Sequence, residues 1–329
     1  MKRLPSLYIR ISACLVILIG VGWVSLDWYN HHLKQEKNAH PVADHGDMSG
    51  TPNPGQPPLV SINPALRAND VSETSLPSAG RELLMQCRQN LHQFKPFSAD
   101  LIQAIRIGEN PILARGRYIE GEGNQLRMEL EIETKNTRGK LLNVSDGSIL
   151  WTELKRHSEE LSPDEEPKIT RRDLGMILQA AETNRRVDSA QYVSDLAVGG
   201  LTALFTALEK EMTFQEPVEV SQSGVSMLSL RGTWNQAFLD RHSVSNISRL
   251  PRHIPDSVEL FLDRATLFPR RIMFTRQDVP GDAGKLITFD FTNVDLQTTL
   301  LENIFDYNLA DNSYDDVTYQ YLRRLPATE

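Results

Sequence analysis

The chain has 329 residues, with 35 lysines and arginines against 43 aspartates and glutamates and a formal net charge of −8. No basic patch or stripe interrupts this acidic balance, which argues against nucleic acid as a partner. The length exceeds one typical domain, so there is room both for a sizeable core and for segments outside it.

An apolar run stands near the start of the chain. Residues 11–26 carry no charged side chain, and apolar flanking residues extend the run to about 20 residues, enough to cross a bilayer as a helix. Lys2, Arg3 and Arg10 precede the run and favour a cytoplasmic N-terminus. We predict a cytoplasmic N-terminus at 1–8 and a transmembrane signal-anchor helix at 9–29.

Two other interpretations of this run fit less well. A cleaved signal peptide requires small residues just after the apolar core, and no A-x-A pattern occurs there. A lipoprotein signal requires a cysteine after the core, whereas Cys14 lies before it.

Residues 30–78 are polar and punctuated by proline, with too few apolar side chains to pack. We predict a disordered tether here, followed by one folded domain over 79–329. The first element of that domain is an amphipathic helix with Ser78 as its N-cap, and one face of the helix carries Leu83, Leu84, Cys87 and Leu91.

Five strands joined by short turns are predicted next. Polar and apolar residues alternate over 97–107 and 125–133, with a further strand at 112–123. Residues 141–154 form a predicted hairpin about Asp146-Gly147, a dipeptide with a strong preference for hairpin turns. Together these strands predict an antiparallel meander with one apolar and one solvated face.

The middle of the chain has a helical period. A charged loop over 161–170 leads into a predicted helix at 171–184, and a second predicted helix covers 194–212. Gly199-Gly200 lies inside the second helix, where each glycine costs about 1 kcal/mol relative to alanine. A kink, a break or a close helix contact is therefore expected at this point.

Five more alternating runs follow, and the chain closes with a polar tail. The order of helix, five strands, two helices and five strands predicts an α+β fold. We expect a strongly curved antiparallel sheet of about ten strands, forming a half-open β-barrel with helices over its concave face.

Several short motifs resemble the bacterial lipoprotein-carrier family with the LolA-like fold. The similar stretches are Phe97-Ser98-Ala99-Asp100, Ala114-Arg115-Gly116-Arg117-Tyr118, Leu126-Arg127-Met128-Glu129, Asp146-Gly147 with Leu150-Trp151, Phe268-Pro269-Arg270-Arg271-Ile272, Ile287-Thr288-Phe289, Asn293-Val294-Asp295-Leu296 and Phe305-Asp306-Tyr307. They follow the family's order across roughly residues 80–325.

This resemblance implies a function as well as a fold. Members of the family hold acyl chains against a concave apolar face beneath a helical lid, and they are not enzymes. Together with the predicted anchor, the resemblance implies a single-pass protein of a bacterial inner membrane with its main domain in the periplasm. It implies that this domain binds acyl chains or a lipidated protein non-covalently. The predicted anchor and tether separate it from the soluble carriers and favour an anchored receiver, sensor or lipid-binding module.

The resemblance also gives the apolar residues of the middle helices and the hairpin tryptophan a lipid-binding role. These candidates are Trp151, Leu174, Ile177, Leu178, Leu201, Leu204, Phe205 and Leu208. The ordinary alternative is that they are plain core. A filled barrel would then serve as a regulatory or scaffold module that binds a protein partner through its surface, without lipid.

Motifs for catalysis and metal binding are missing from the sequence. It contains no G-x-S-x-G, H-E-x-x-H or C-x-x-C motif and no phosphate-binding glycine loop. Asp240, His242 and Ser243 are a combination that a chain of this size contains by chance. The acidic cluster near Asp315 lacks the glycine and the closing glutamate of a calcium loop. We predict no enzymatic activity, no cofactor and no metal site.

Overall fold

The computed structural model describes residues 78–106, 111–135, 137–158, 166–184, 187–222 and 224–325. The predicted N-terminus at 1–8 and signal-anchor helix at 9–29 lie outside these residues, as does the predicted tether except for Ser78. None of the described helices has both the length and the apolar character needed to cross a membrane.

Six α-helices and thirteen strands occur among the described residues. The helices are α1 (Ala79–Gln93), α2 (Leu174–Glu182), α3 (Val187–Val198), α4 (Gly200–Glu211), α5 (Gln236–Arg241) and α6 (Thr318–Leu322). The strands are β1 (Phe97–Ile105), β2 (Ile112–Glu120), β3 (Gln125–Glu133), β4 (Thr137–Asp146), β5 (Ile149–Ser158), β6 (Lys168–Asp173), β7 (Met212–Phe214), β8 (Val218–Gln222), β9 (Val225–Trp234), β10 (Ser257–Asp263), β11 (Pro269–Thr275), β12 (Lys285–Asp295) and β13 (Asp315–Asp316).

All thirteen strands belong to one sheet. Their order is β13-β6-β5-β4-β3-β2-β1-β12-β11-β10-β9-β7, and β8 also pairs with β9. The pairing of β1 with β12 joins the N-terminal meander to the C-terminal one, and only β13 runs parallel to its neighbour, β6. No pairing links the two ends of the sheet within the described residues, so the sheet is open.

The core shows that this open sheet is strongly curved. Apolar side chains from β1–β4 and from β9–β12 meet in one buried cluster, which requires the two halves of the sheet to face each other. Helices α1 and α4 pack into the same cluster on the concave, inner side, with Leu84 and Phe205 fully buried. The helices therefore fill the space inside the curve.

The predicted fold class is confirmed as α+β with a large curved, unclosed and mostly antiparallel sheet. The predicted number of strands, about ten, is wrong. The three additional strands are short: β6 lies in and just after the predicted charged loop, β7 at the end of the second predicted helix and β13 in the polar tail. Backbone hydrogen bonds to a neighbouring strand define each of them, and an alternation of apolar residues in their own sequences does not.

Both middle helices also differ from their predicted bounds. The first begins at Leu174 rather than at residue 171, because residues 171–173 pair with β5 and the Asp173 carboxylate caps the helix through the Met176 amide at 2.9 Å. The second is broken, since Gly199 and Gly200 have φ angles of +82° and +69°. Residues before the break form α3, and those after it form α4.

The polar tail is an ordered strap over the outer, convex face of β1–β6. We call residues 296–316 the strap. The Arg127 guanidinium donates to the Ile304 carbonyl at 2.9 Å, and Trp151 stacks on Tyr307 with their ring centres 5.1 Å apart. The outward-facing Val144 is fully buried as a result. The predicted solvated face of the meander is therefore partly covered.

Candidate binding site

The structure divides the predicted lipid-binding residues among three places. Leu201, Leu204, Phe205 and Leu208 of α4 lie in the main core and are at most 2% exposed. Leu174, Ile177 and Leu178 of α2 lie in a second, much smaller apolar cluster. Trp151 is on the outer face beneath the strap, where Tyr307 and Tyr314 contact its ring. Only the α2 residues and the α4 residues share the inner side of the sheet.

A buried polar network fixes the first turn of α4 to β2. The Tyr118 hydroxyl accepts a hydrogen bond from the Leu201 amide at 2.8 Å and donates to the Glu120 carboxylate. Lys95 pairs with the other oxygen of Glu120 at 2.9 Å. Burial, followed by the charge of Glu120, holds the pKa of Tyr118 well above its ordinary value, so this hydroxyl remains protonated. The carboxylate also lies at the positive end of the helix dipole.

The break between α3 and α4 is adjacent to this network. A Cβ added at Gly200 would lie 2.6 Å from the Tyr118 hydroxyl, so this position has no space for a side chain. The positive φ at both glycines is a conformation that other residues adopt at a cost. We call the Gly199-Gly200 pair the joint. It separates α4, which the polar network fixes to β2, from α3 on the other side of the break.

Three polar residues, Asn143, Thr152 and Arg172, lie beside the joint on the inner face of β4–β6, and we call them the seam. It surrounds a cavity of about 20 Å³, lined among others by Asn143, Thr152, Arg172 and the joint. Asn143 is 1% exposed, and its Oδ1 has no hydrogen-bond donor among the described residues. The Arg172 Nε is likewise buried without an acceptor. Buried polar atoms in folded proteins are almost always paired, and two of the four unpaired side-chain atoms buried within the described residues lie in this seam; the others belong to Gln103 and Thr202.

Helices α2 and α3 cover the seam from the inner side. The second cluster, which we call the lid cluster, holds them to the sheet through Leu150, Leu174, Ile177, Ala197 and Tyr321.

Polar contacts add to this cover. Arg172 donates to the Ala197 carbonyl at 2.5 Å, and Thr206 of α4 donates to Asp195 of α3 at 2.7 Å. Two side chains of α3, Tyr192 and Leu196, also pack against the main core. The helix pair is thus a layer joined to the rest of the domain by the lid cluster, by these contacts of α3 and by the joint.

Sequence reasoning missed the polar residues of the seam. Asn143 occupies an inward position in β4 between the inward-facing Leu141 and Ser145, so strand alternation offered a signal for it. Arg172 falls within the helix predicted at 171–184, so the sequence pattern does not assign it to a face of the sheet.

A second concave feature lies on the outer face, between the sheet and the strap. This outer groove has a volume of about 550 Å³ and is lined by Arg117, Ile119, Arg127 and Glu129 of β2–β3 and by residues 301–304. Leu301 is 76% exposed at its rim. Arg117 donates to the Ser98 hydroxyl at 3.4 Å and has no carboxylate within ion-pair distance among the described residues.

Potentially reactive groups of the described chain make structural contacts. Burial raises the pKa of the Cys87 thiol to about 12, so it remains protonated. The His242 ring packs against Phe238, and Asp240 accepts a hydrogen bond from Gln236. Over the described ranges, no group of three or more histidine, cysteine, aspartate or glutamate side chains could hold a metal ion.

No protein-family model matches the sequence, and no curated protein matches it. Among solved structures, the chain is similar to the MucA/MucB complex of Pseudomonas aeruginosa, with 12% identity and a TM-score of 0.31 over 70% of this chain and 61% of that chain. It is similar to a LolA superfamily protein from Nitrosomonas europaea, with 12% identity and a TM-score of 0.25 over 70% and 98% of the two chains. It is also similar to a putative outer membrane lipoprotein-sorting protein domain from Vibrio parahaemolyticus, with 11% identity and a TM-score of 0.29 over 69% and 96%.

The matched region thus spans about three fifths of the MucB chain and nearly all of the other two. Similarity at this level concerns the fold alone and carries nothing about ligand or partner. The curved, unclosed sheet with helices on its concave side is the architecture that the sequence motifs imply.

Proposed function

We propose that this chain is a non-enzymatic binding protein that takes up acyl chains, from a lipid or a lipidated protein, between α2–α3 and the inner face of β4–β6. The main support is the separation of the lid cluster from the main core by a seam with unpaired polar atoms. An ordinary core would close such a seam with apolar side chains or paired polar groups. The sequence resemblance to lipoprotein carriers supports the same ligand class.

Uptake requires α2 and α3 to move away from β5 and β6. A cavity of about 20 Å³ holds roughly one water molecule, so the acyl chain must replace the contacts of the lid cluster. That cluster is far smaller than the main core, and Tyr192 and Leu196 of α3 must also leave their contacts with that core when the helices move. Each methylene group buried by the ligand contributes about 0.8 kcal/mol in return. The glycine joint allows α3 to turn while α4 stays fixed.

This mechanism assigns different roles to the predicted lipid-binding residues. Leu174, Ile177 and Leu178 contact the ligand directly, because they form the apolar side of the helix pair. The α4 residues support the wall of the site from within the main core. Trp151 lies on the other face of the sheet and holds the strap.

Native mass spectrometry of the full chain, followed by lipid extraction, tests this function. We expect co-purified lipid or acylated protein in the wild type. Leu178→Trp places a bulky ring in the lid cluster and reduces the bound fraction. Met176→Trp is the matched control on the same helix, because Met176 is 46% exposed, and it leaves binding unchanged. A lipid-free wild type that also fails to bind added fatty acid contradicts the proposed function.

The outer groove favours a second function, which is the binding of a protein partner at the surface. Its floor is apolar at Ile119, and Arg117 offers a positive charge without a described carboxylate partner. An extended partner segment with an acidic residue matches these features. Arg117→Glu should abolish capture of such a partner, and Arg138→Glu, at a side chain that is 80% exposed on β4, should leave it intact.

We also propose that the chain is anchored in a bacterial inner membrane by residues 9–29, with its main domain in the periplasm. The apolar run and the positive charges before it support this topology. Reporter fusions test it: a reporter active only in the periplasm should work after residue 78 and fail after residue 8. Activity at both positions contradicts the anchor orientation.

A further inference from the structure

Arg172 carries a charge that no carboxylate of the described chain neutralises. Its guanidinium donates to the Ala197 carbonyl and lies 4.2 Å from the centre of the Tyr321 ring, and its Nε has no acceptor. The neighbouring Arg171 points to the outer face and pairs with Asp173 and Asp316 at 2.9 Å and 2.8 Å. Partly buried cations are normally paired in the manner of Arg171.

A second arginine contacts the same tyrosine ring. The Arg324 guanidinium is 5.4 Å from the centre of the Tyr321 ring and has no ion-pair partner in the described ranges. Burial lowers the pKa of Arg172, and the positive charge of Arg324 lowers it further. Two like charges therefore lie beside the Tyr321 ring, one within the seam and one at the surface.

The seam adds further polar groups at the inner arginine. Asn143 and Thr152 line the cavity together with Arg172, and the cavity adjoins the lid cluster that we assign to the acyl chain. A ligand whose chain lies under α2 and α3 would have its head beside these polar groups. An oxyanion on that head would give the Arg172 Nε an acceptor and would offset both positive charges.

We propose that Arg172 and Arg324, which both contact the Tyr321 ring, bind the anionic head group of the acyl ligand. This inference rests on the proposed acyl binding and names the class of ligand, an acyl chain that ends in a carboxylate or a phosphate. Tyr321 positions the two guanidinium groups through cation–π contacts with both. Neutral lipids with the same chain lack the oxyanion and bind more weakly.

Ligand pairs with identical chains test the head-group site on the full-length protein in non-ionic detergent. Oleate is compared with oleyl alcohol for the carboxylate, and oleoyl lysophosphatidic acid with monoolein for the phosphate. We expect the anionic member of at least one pair to bind about tenfold more tightly or better, as for hydrogen bonds to charged groups. The pair with the larger ratio identifies the head group.

Substitutions and changes in salt concentration separate the contribution of the head group to the binding affinity from that of the acyl chain. Arg172→Met with Arg324→Met should bring the ratio close to one and leave the affinity for the neutral lipid within about threefold. Arg171→Met, on the same strand but the opposite face, should keep the ratio. If the double variant does not fold, the wild-type ratio should still fall as salt is raised.

Each result has a definite meaning. Equal affinity of the wild type for anionic and neutral lipids overturns the head-group site and leaves acyl binding in place. A preference that survives the double substitution, or that salt does not reduce, also overturns the site. Failure of all four lipids to bind overturns the proposed acyl binding together with the head-group site.

Discussion

Glu120 and Lys95 form a buried ion pair at the residue scale, with side chains that are 4% and 9% exposed. Loss of one partner leaves the other charge buried without compensation, which typically costs about 3–5 kcal/mol. Glu120→Ala also removes the acceptor of the Tyr118 hydroxyl, which holds the first turn of α4. We expect the free energy of unfolding to fall by about that amount.

Urea unfolding measures this change, and an exposed pair is the control. Glu131 pairs with Lys140 at 3.5 Å, and both side chains are more than 60% exposed. Glu131→Ala should change the free energy of unfolding by less than about 1 kcal/mol. Similar losses for the two variants would show that the Glu120 network does not stabilise the domain.

Asp263 should make the stability of the domain depend on pH. Burial alone would raise the pKa of Asp263, but hydrogen bonds from Thr266, Arg270 and Ala265 outweigh burial and hold the pKa below its ordinary value. A carboxyl with a lowered pKa stabilises the fold above its unfolded value of 3.8, and the contribution is lost as the pH falls through the folded value.

Thermal unfolding from pH 7 to pH 2 tests this dependence. Asp263→Asn should lower the melting temperature at pH 7 and flatten the decline in the melting temperature below pH 4, because the titrating group is gone. An Asp263→Asn variant whose acid limb has the slope of the wild type would exclude Asp263 as a source of acid sensitivity.

Single residues differ in how far the sequence reveals them. Gly116 belongs to the A-x-G-x-Y motif, and the structure gives its physical reason: a Cβ there would lie 1.8 Å from the Glu129 carbonyl oxygen of β3. Ser78 was predictable as a cap, and its Oγ accepts from the Arg81 amide. Arg172 was not predictable, because its role depends on which side chains of distant segments come near it.

At the scale of elements, aromatic contacts and hydrogen bonds hold the strap to the sheet. Tyr307 stacks on Trp151, and its hydroxyl donates to Glu153 at 2.7 Å. Tyr307→Phe should lower the free energy of unfolding by about 1–3 kcal/mol, since the acceptor is charged. Tyr307→Ala should lower it further, by about 3–5 kcal/mol in all, because the ring contact is also lost.

Chemical denaturation with Tyr319→Phe and Tyr319→Ala as controls checks this order. Tyr319 is 66% exposed on α6, so both control variants should stay within about 0.5 kcal/mol of the wild type. If Tyr307→Ala is as mild as Tyr319→Ala, the strap does not contribute to the stability of the sheet.

Element boundaries were predictable where local signals decide them and were missed where the partner strand decides them. The hairpin at Asp146-Gly147 was expected at 141–154, and its strands extend the pairing to Thr137–Ser158. The joint at Gly199-Gly200 was among the expected outcomes and is a break. In contrast, β13 forms because Arg171 and its strand pair with it, which the acidic sequence of the tail does not indicate.

At the scale of the whole molecule, the sheet encloses two apolar regions of different size. The main core joins both halves of the sheet through α1 and α4, so its loss unfolds the entire domain. The lid cluster joins α2, α3 and α6 to β5, so its loss loosens the helix pair first, with α3 still in contact with the main core through Tyr192 and Leu196. The separation on which the proposed uptake of a ligand depends also predicts that the two regions open independently.

Hydrogen exchange of the full chain can distinguish the opening of the lid cluster from the opening of the main core. Ile177 and Leu204 are both fully buried, the first in the lid cluster and the second in the main core. Truncation of either to alanine costs about 2–5 kcal/mol at its own site. Ile177→Ala should speed exchange of amides in α2 and α3 and leave β1 and β12 protected, whereas Leu204→Ala should speed exchange in β1 and β12 as well. Equal loss of protection in β1 for both variants would mean that the helix pair and the sheet open as one unit, and a lid that moves alone would then be wrong.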